Sequence, residues 1–265
     1  MGMGYRWTAV AAAALLLTAA GCKKTEQQAT SGGQAGATAA TAVIDWNTAG
    51  TVSGTIHFAK KAPPRVEIDM AQDPACSLAG SNYSEQIMSD GGKLANVYVY
   101  VKDGLGNKLY ASSTTPVILD QKGCKYVPHV IAVQVGQPVE FTNSDPTMHN
   151  IHMVPQIAGN PQIDISQPPK GGTTSRTFDH AETMIQVRCA NHPWMQAFIN
   201  VSANPFFSVS DATGHFEIKG LPPGTYTIEA VHEELGTQTA TVTVAAKQAV
   251  SQDFSFGNGT GAPPQ

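Results

Sequence analysis

The sequence predicts an all-β protein built from small β-sandwiches. Gly (25) and Pro (17) are plentiful among the 265 residues. Val, Ile and Thr recur in short runs that alternate apolar and polar with period two. Turn residues punctuate the tail runs at roughly ten-residue intervals, the rhythm of a small sandwich. The length suits one large or two small domains. Charge is low and nearly balanced, 16 Lys+Arg against 20 Asp+Glu, with no basic block. That excludes nucleic acid as an expected partner.

Taken in order, the chain opens on an export signal. Arg6 precedes an apolar run from Thr8 to Ala20 that is too short to span a bilayer. The run ends at Ala19-Ala20-Gly21-Cys22, which resembles the lipobox of bacterial lipoproteins, although Ala19 stands where Leu is usual. Residues 1–21 therefore read as a lipoprotein-type signal and Cys22 as the lipidation candidate. The alternative is ordinary cleavage with Cys22 incidental. Either reading exports the chain to an oxidising compartment, periplasmic or at the cell surface. A lipidated Cys22 would add a membrane anchor. Residues 22–42, rich in Gln, Ala, Thr, Gly and Ser, read as a disordered tether, with order beginning near Val43.

Thr51 to Phe58 and Ala95 to Val101 alternate as strands, the second closed by Asp103-Gly104. Ser81 to Gly92 has no decisive pattern and stays open between loop and strand. Val130 to Val135, the turn Gly136-Gln137-Pro138 and Val139 to Asn143 read as a strand and its partner. Thr173 to Phe178, Met184 to Cys189 and Ala197 to Val201 are three more strands. The tail alternates again: Phe206 to Ser210, His215 to Lys219 and Thr225 to Ala230, broken at Asp211-Ala212-Thr213-Gly214 and at Gly220-Leu221-Pro222-Pro223-Gly224.

The chemistry is concentrated in Cys189-Ala190-Asn191-His192-Pro193-Trp194-Met195 and in the earlier Met148-His149-Asn150-Ile151-His152. One Cys, two His and one Met is the ligand set of a blue-copper site, a trigonal His₂Cys plane with a weak axial thioether. A thiolate stabilises Cu(I), and imidazole suits both oxidation states. Each residue alone has an ordinary reading: a surface or core histidine, a core-filling Met, a buried thiol. The joint occurrence, in order and spacing, is what points to metal. Zn(II) is the rival ion, but Met is a poor ligand for it. His152, three residues past His149, falls on the opposite strand face and reads as a non-ligand. His57, His129, His180, His215 and His232 have no partner spacing, and His232-Glu233-Glu234 reads as a solvated turn.

Cys-x2-His-x2-Met after a His-Asn pair resembles the cupredoxins, the amicyanin type most closely. The resemblance runs from Cys124 to Ala203, through Lys125-Tyr126, Val133 to Gly136, Val139 to Asn143 and Val187-Arg188-Cys189. It implies a Greek-key β-sandwich and one type 1 copper ion held by His149, Cys189, His192 and Met195. It also implies that Asn150 ties the two ligand loops together. Pro193, lacking an N–H, is placed to tune the Cys189 sulfur, and Trp194 lies between two ligands. With Pro193, Met148 and Met153, Trp194 is expected to form an apolar rim at the His192 edge. With Cys22 and Cys189 so used, Cys76 and Cys124 remain as a disulfide candidate. The alternative is that one of them pairs with Cys189 and no metal site exists.

The tail string Asp211 to Ile228 resembles the carboxypeptidase regulatory-like (transthyretin-like) domains, and Val52 to Ile56 resembles their opening strand. The expected organisation is 43–110 as N-terminal strands, 111–203 as the cupredoxin domain, 204–258 as a smaller regulatory-like sandwich, and 259–265 as a disordered tail. Residues 43–110 are either the first part of a split regulatory-like sandwich or a module in series. The expected function is a membrane-tethered carrier of single electrons, not an enzyme. Its partner would be a redox protein such as a c-type cytochrome or a periplasmic oxidoreductase. The alternatives are a copper-binding or copper-delivery lipoprotein, and a surface interaction module with a structural cupredoxin fold.

Overall fold

The computed structural model describes residues 41–257. The signal, Cys22, nearly all of the tether and the last eight residues lie outside the described residues. The first strands are β1 (Thr41–Ala42), β2 (Gly50–Phe58) and β3 (Glu67–Ile68), followed by a single helical turn, α1 (Pro74–Ser77). Then come β4 (Asn82–Tyr83), β5 (Ser89–Asp90), β6 (Lys93–Leu94), β7 (Tyr98–Asp103) and β8 (Leu109–Tyr110). The middle of the chain carries β9 (Val117–Gln121), β10 (Tyr126–Val127), β11 (Val130–Gln134), β12 (Val139–Asn143), β13 (His149–Met153) and β14 (Ile163–Gln167). It continues through β15 (Thr174–Arg176), β16 (Glu182–Arg188) and β17 (Gln196–Ser202). The tail holds β18 (Phe207–Val209), β19 (His215–Leu221), β20 (Gly224–His232), β21 (Gly236–Val244), β22 (Ala249–Ser251) and β23 (Phe254–Phe256).

The molecule is all-β, and its sheets form two sandwiches. In the first, the sheet β10-β9-β12-β15 faces the sheet β11-β17-β16-β13-β14. Between them lies a core that includes Leu119, Phe141, Ile151, Phe178, Val187 and Ile199, all fully buried. In the second, β18-β7-β20-β21 faces β19-β2-β6-β5, with β22 and β23 also on β2. Its core includes Val52, Ile56, Leu94, Phe216, Ile228 and Phe256. Each such side chain removed from water contributes about 1.5–3 kcal/mol. The alternation that predicts these strands is the alternation that fills the cores: β12 reads buried, half-buried, buried, half-buried, buried.

The second sandwich is assembled from both ends of the chain. β2 pairs antiparallel with β19, Val52 opposite Ile218. It also pairs in parallel with β22, Val52 opposite Val250, and with β23, Ile56 opposite Phe254. Gly54 makes this crowding possible, because a Cβ there would stand 1.9 Å from the Gln252 carbonyl oxygen. The chain returns from the first sandwich through β17, and Asn204 Nδ2 donates to the Val101 carbonyl at 3.1 Å.

Two local expectations are corrected, and one stretch left open is resolved. β11 and β12 are not partners: β11 runs parallel to β17, whereas β12 pairs with β9 and β15 in the facing sheet. The Val135 and Gly136 N–H groups explain this, since they donate to the Ser202 and Phe178 carbonyls and carry the chain across the sandwich. The 81–92 segment contains the two short strands β4 and β5. His232-Glu233-Glu234 is a solvated turn only in part: Glu233 and Glu234 do leave β20 in a turn and Glu234 is exposed, but the first two residues are not solvated. His232 is fully buried against Phe256, and the Glu233 side chain, 2% exposed, meets His129 Nε2 at 2.5 Å.

Candidate metal centre

The ends of neighbouring strands build the site. His149 is the first residue of β13, and Cys189 follows directly on β16. The two strands are in register at His152 and Arg188. His192 and Met195 lie in the turn that joins β16 to β17, closed by the Met195 N–H on the His192 carbonyl at 2.9 Å. Residues 43 positions apart are thereby brought together.

His149 Nδ1 lies 2.9 Å from His192 Nδ1, and the Cys189 sulfur lies 3.5 Å from His192 Nδ1. One donor atom from each of these three residues falls within 4.8 Å of the other two. All are buried: His149 is 0% exposed, Cys189 and His192 3%. Met195, 1% exposed, packs in the same core cluster as Cys189. Cys189 is a free thiol, and Cys76 and Cys124 are joined by a disulfide.

The far nitrogens of both rings are held by carboxylates. His149 Nε2 donates to Asp145 Oδ2 at 2.9 Å, and His192 Nε2 donates to Asp73 Oδ2 at 3.1 Å. An ionised carboxylate only accepts, so each ring carries a proton on Nε2. His192 then turns an Nδ1 lone pair into the vertex, while His149 in the metal-free protein holds a second proton on Nδ1, between His192 Nδ1 and the Cys189 sulfur. A metal ion would take the place of that proton. The titration of the site follows the same logic. Burial is the strongest influence on His149 and favours the neutral ring. Bonds to Asp145 and Cys189, with their negative charges, together outweigh it and raise the pKa to about 9. Burial likewise works against a thiolate at Cys189. Bonds from His149, the Asn150 N–H, His192 and the Asn191 N–H overcome it and bring the pKa down to about 6.

Asn150 joins the two ligand-bearing strands. Its backbone N–H donates to the Cys189 sulfur at 3.4 Å, and its side-chain oxygen accepts from the Ala190 N–H. Its amide nitrogen donates to Asp164 at 2.9 Å. His152 points the other way, exposed, with Nδ1 3.6 Å from Asp164. Trp194 is half-buried, packs its ring 5.1 Å from that of His192, and donates from Nε1 to the Cys124 carbonyl at 3.1 Å. Pro193 and Met148 are exposed, but Met153 is buried and cannot join an apolar rim. Period two on β13 puts 149, 151 and 153 on the core face together. A groove of about 750 Å³ is lined by Tyr100, Lys102, His152, Met184 and Arg188 and by none of His149, Cys189, His192 and Met195.

Sequence reasoning missed both carboxylates. Asp145 precedes His149 by four residues and was findable as a nearby acid. Asp73 is 119 residues from His192, and no local pattern marks it.

Comparison with known proteins gives one family match over part of the chain and a set of weak structural likenesses. Residues 190–257 match the family model of the carboxypeptidase regulatory-like domain. No curated protein matches the chain. Among solved structures, a copper-containing nitrite reductase from Thermus scotoductus SA-01 is 22% identical over 38% of this chain and 26% of its own, at a TM-score of 0.31. The chain thus spans about a quarter of that enzyme's length. A mutant of amicyanin in the Cu(I) state is 25% identical over 33% of this chain and 82% of its own, TM-score 0.30. A second amicyanin mutant, reduced at pH 4, is 22% identical over 39% and 98%, TM-score 0.30. At these scores the likeness assigns neither a metal nor an activity to this chain.

Proposed function

We propose that the protein is an exported type 1 copper protein that passes single electrons between redox partners. The observation that carries this reading is the convergence of two imidazole Nδ1 atoms and one thiolate, with both Nε2 atoms committed to carboxylates. His149, His192 and Cys189 would hold the ion, with the Met195 thioether as the weak fourth ligand. This soft N₂S donor set fits copper. Copper bound there supplies a one-electron Cu(II)/Cu(I) couple.

The chain's own residues supply the rest. Strand ends and the Asn150 bridge hold the donors before any ion arrives, so little has to move when charge changes. Burial excludes water. His149, His192, Cys189 and Met195 would together fill four positions on the ion, which would leave none for a substrate and favours a carrier over an enzyme. The expected partner is a small redox protein, such as a c-type cytochrome, docking briefly near exposed Pro193 and Met148. Export, and a lipid anchor at Cys22, rest on the leader sequence.

A second reading is a structural interaction module, favoured by the regulatory-like match over residues 190–257. Titrating Cu(II) into the protein from Val43 onward separates the two. A carrier shows an intense blue thiolate-to-copper band that Cys189→Ser abolishes. A pale complex, or none, sinks the copper reading. Metal transfer to an acceptor without redox turnover would instead indicate delivery.

A further inference from the structure

The loop from Cys189 to Met195 contains no carboxylate, yet the far nitrogen of His192 is capped by one. Asp73 reaches it from the segment between β3 and β4. The two oxygens of Asp73 do separate work. Oδ1 caps α1, accepting from the Ala75 N–H at 2.7 Å and the Cys76 N–H at 3.3 Å. Oδ2 accepts from the Thr147 hydroxyl at 2.7 Å and from His192 Nε2 at 3.1 Å.

Asp145 is arranged in parallel on the other side. Its Oδ1 accepts from the Gly123 N–H at 2.6 Å, and its Oδ2 accepts from the Cys124 N–H at 2.8 Å and from His149 Nε2 at 2.9 Å. The Cys76–Cys124 disulfide therefore joins two arms, each ending in a carboxylate that holds one imidazole. Cys76 lies with Asp73 and His192, and Cys124 with Asp145 and His149, each trio within 4.8 Å. Met70 and Trp194 pack around this crosslink.

We infer that Asp73, carried by the disulfide-tethered segment, is the positioning residue for His192: it fixes the Nε2–H tautomer and so aims the Nδ1 lone pair at Cys189 and His149. The use of that lone pair rests on the copper reading. The tautomer itself is a property of the metal-free protein.

Two substitutions keep the helix cap and change what His192 and Thr147 meet in place of Oδ2. In Asp73→Asn the side-chain oxygen stays on the cap, which turns the amide N–H toward Nε2. Reversing the amide would set it against two backbone donors. His192 must then accept at Nε2 and carry its proton on Nδ1. In Asp73→Ser the hydroxyl still caps but is too short to reach the ring. Nitrogen-15 NMR of the metal-free protein reads the tautomer directly. Wild type is expected as Nε2–H, Asp73→Asn as Nδ1–H, and Asp73→Ser as a mixture. Thr147→Val removes the other bond to Oδ2 and is expected to leave the tautomer alone, which a merely structural role for Asp73 would not predict. Cu(II) affinity should fall ~10–100-fold in Asp73→Asn. A wild-type tautomer in both Asp73 variants overturns the inference, and Asp73→Ser decides it alone if Asp73→Asn does not fold. A wild-type tautomer in Cys76→Ser with Cys124→Ser overturns the part assigned to the tether. If wild type binds no Cu(II), the copper reading fails, and the NMR result still stands or falls by itself.

Discussion

At the scale of single residues, the site depends on where protons and lone pairs are placed. Asn150 shows how much one side chain can carry. It is 5% exposed, and its oxygen takes the Ala190 N–H that the ligand turn leaves unpaired. Asn150→Ala removes the partner of a donor on an exposed residue, together with the bond to Asp164, and each lost hydrogen bond costs about 0.5–1.5 kcal/mol. Urea denaturation of the metal-free protein should show a loss of that size. A loss below a few tenths would mean water replaces the side chain. The three converging residues, and Met195 beside them in the core, were legible in the sequence because their types and spacing are rare together. Asp73 was not, because its partner is remote and an acid beside a Pro-initiated turn has an ordinary capping role of its own.

At the scale of elements, β20 carries a buried histidine whose cost can be measured. Its even positions Tyr226, Ile228 and Ala230 face the second core, and His232 continues that face. Burial, with a smaller push from the charge of His129, lowers its pKa to about 4 from 6.5. The unfolded chain therefore binds a proton that the folded chain refuses. Stability is lost as pH falls from about 6.5 to about 4, by about 3 kcal/mol at 1.36 kcal/mol per pH unit. Glu233, whose pKa burial raises, acts in the opposite sense. The comparison of variants isolates His232: His232→Phe should flatten the acid limb between these pH values, and identical pH profiles would refute the assignment. The strands themselves were readable from alternation. The partnering of β11 and β12 was not, because a Gly-rich turn looks alike whether it closes a hairpin or crosses between sheets. The long-range acceptors for Val135 and Gly136 decide between them.

At the scale of the whole molecule, β2 is the strand on which the second sandwich depends. It contributes Val52, Ile56 and Phe58 to the core and pairs with β19, β6, β22 and β23. A fragment of residues 204–257 lacks it, and lacks β7 as well. Such a fragment should stay unfolded, with collapsed amide proton dispersion in its NMR spectrum. A well-dispersed spectrum would show that the tail needs no other part of the chain.

The sequence by itself determined the all-β class, most strands and the residues able to bind a soft metal, because period-two alternation and short motifs are local properties of a chain. Only the tertiary structure decided which strands share a sheet, that both ends of the described chain build one core, and that a disulfide-linked pair of aspartates aims two imidazoles at one thiol. Those outcomes depend on hydrogen-bond partners and packing between residues tens to hundreds of positions apart, and no local pattern encodes which distant group will satisfy a given donor.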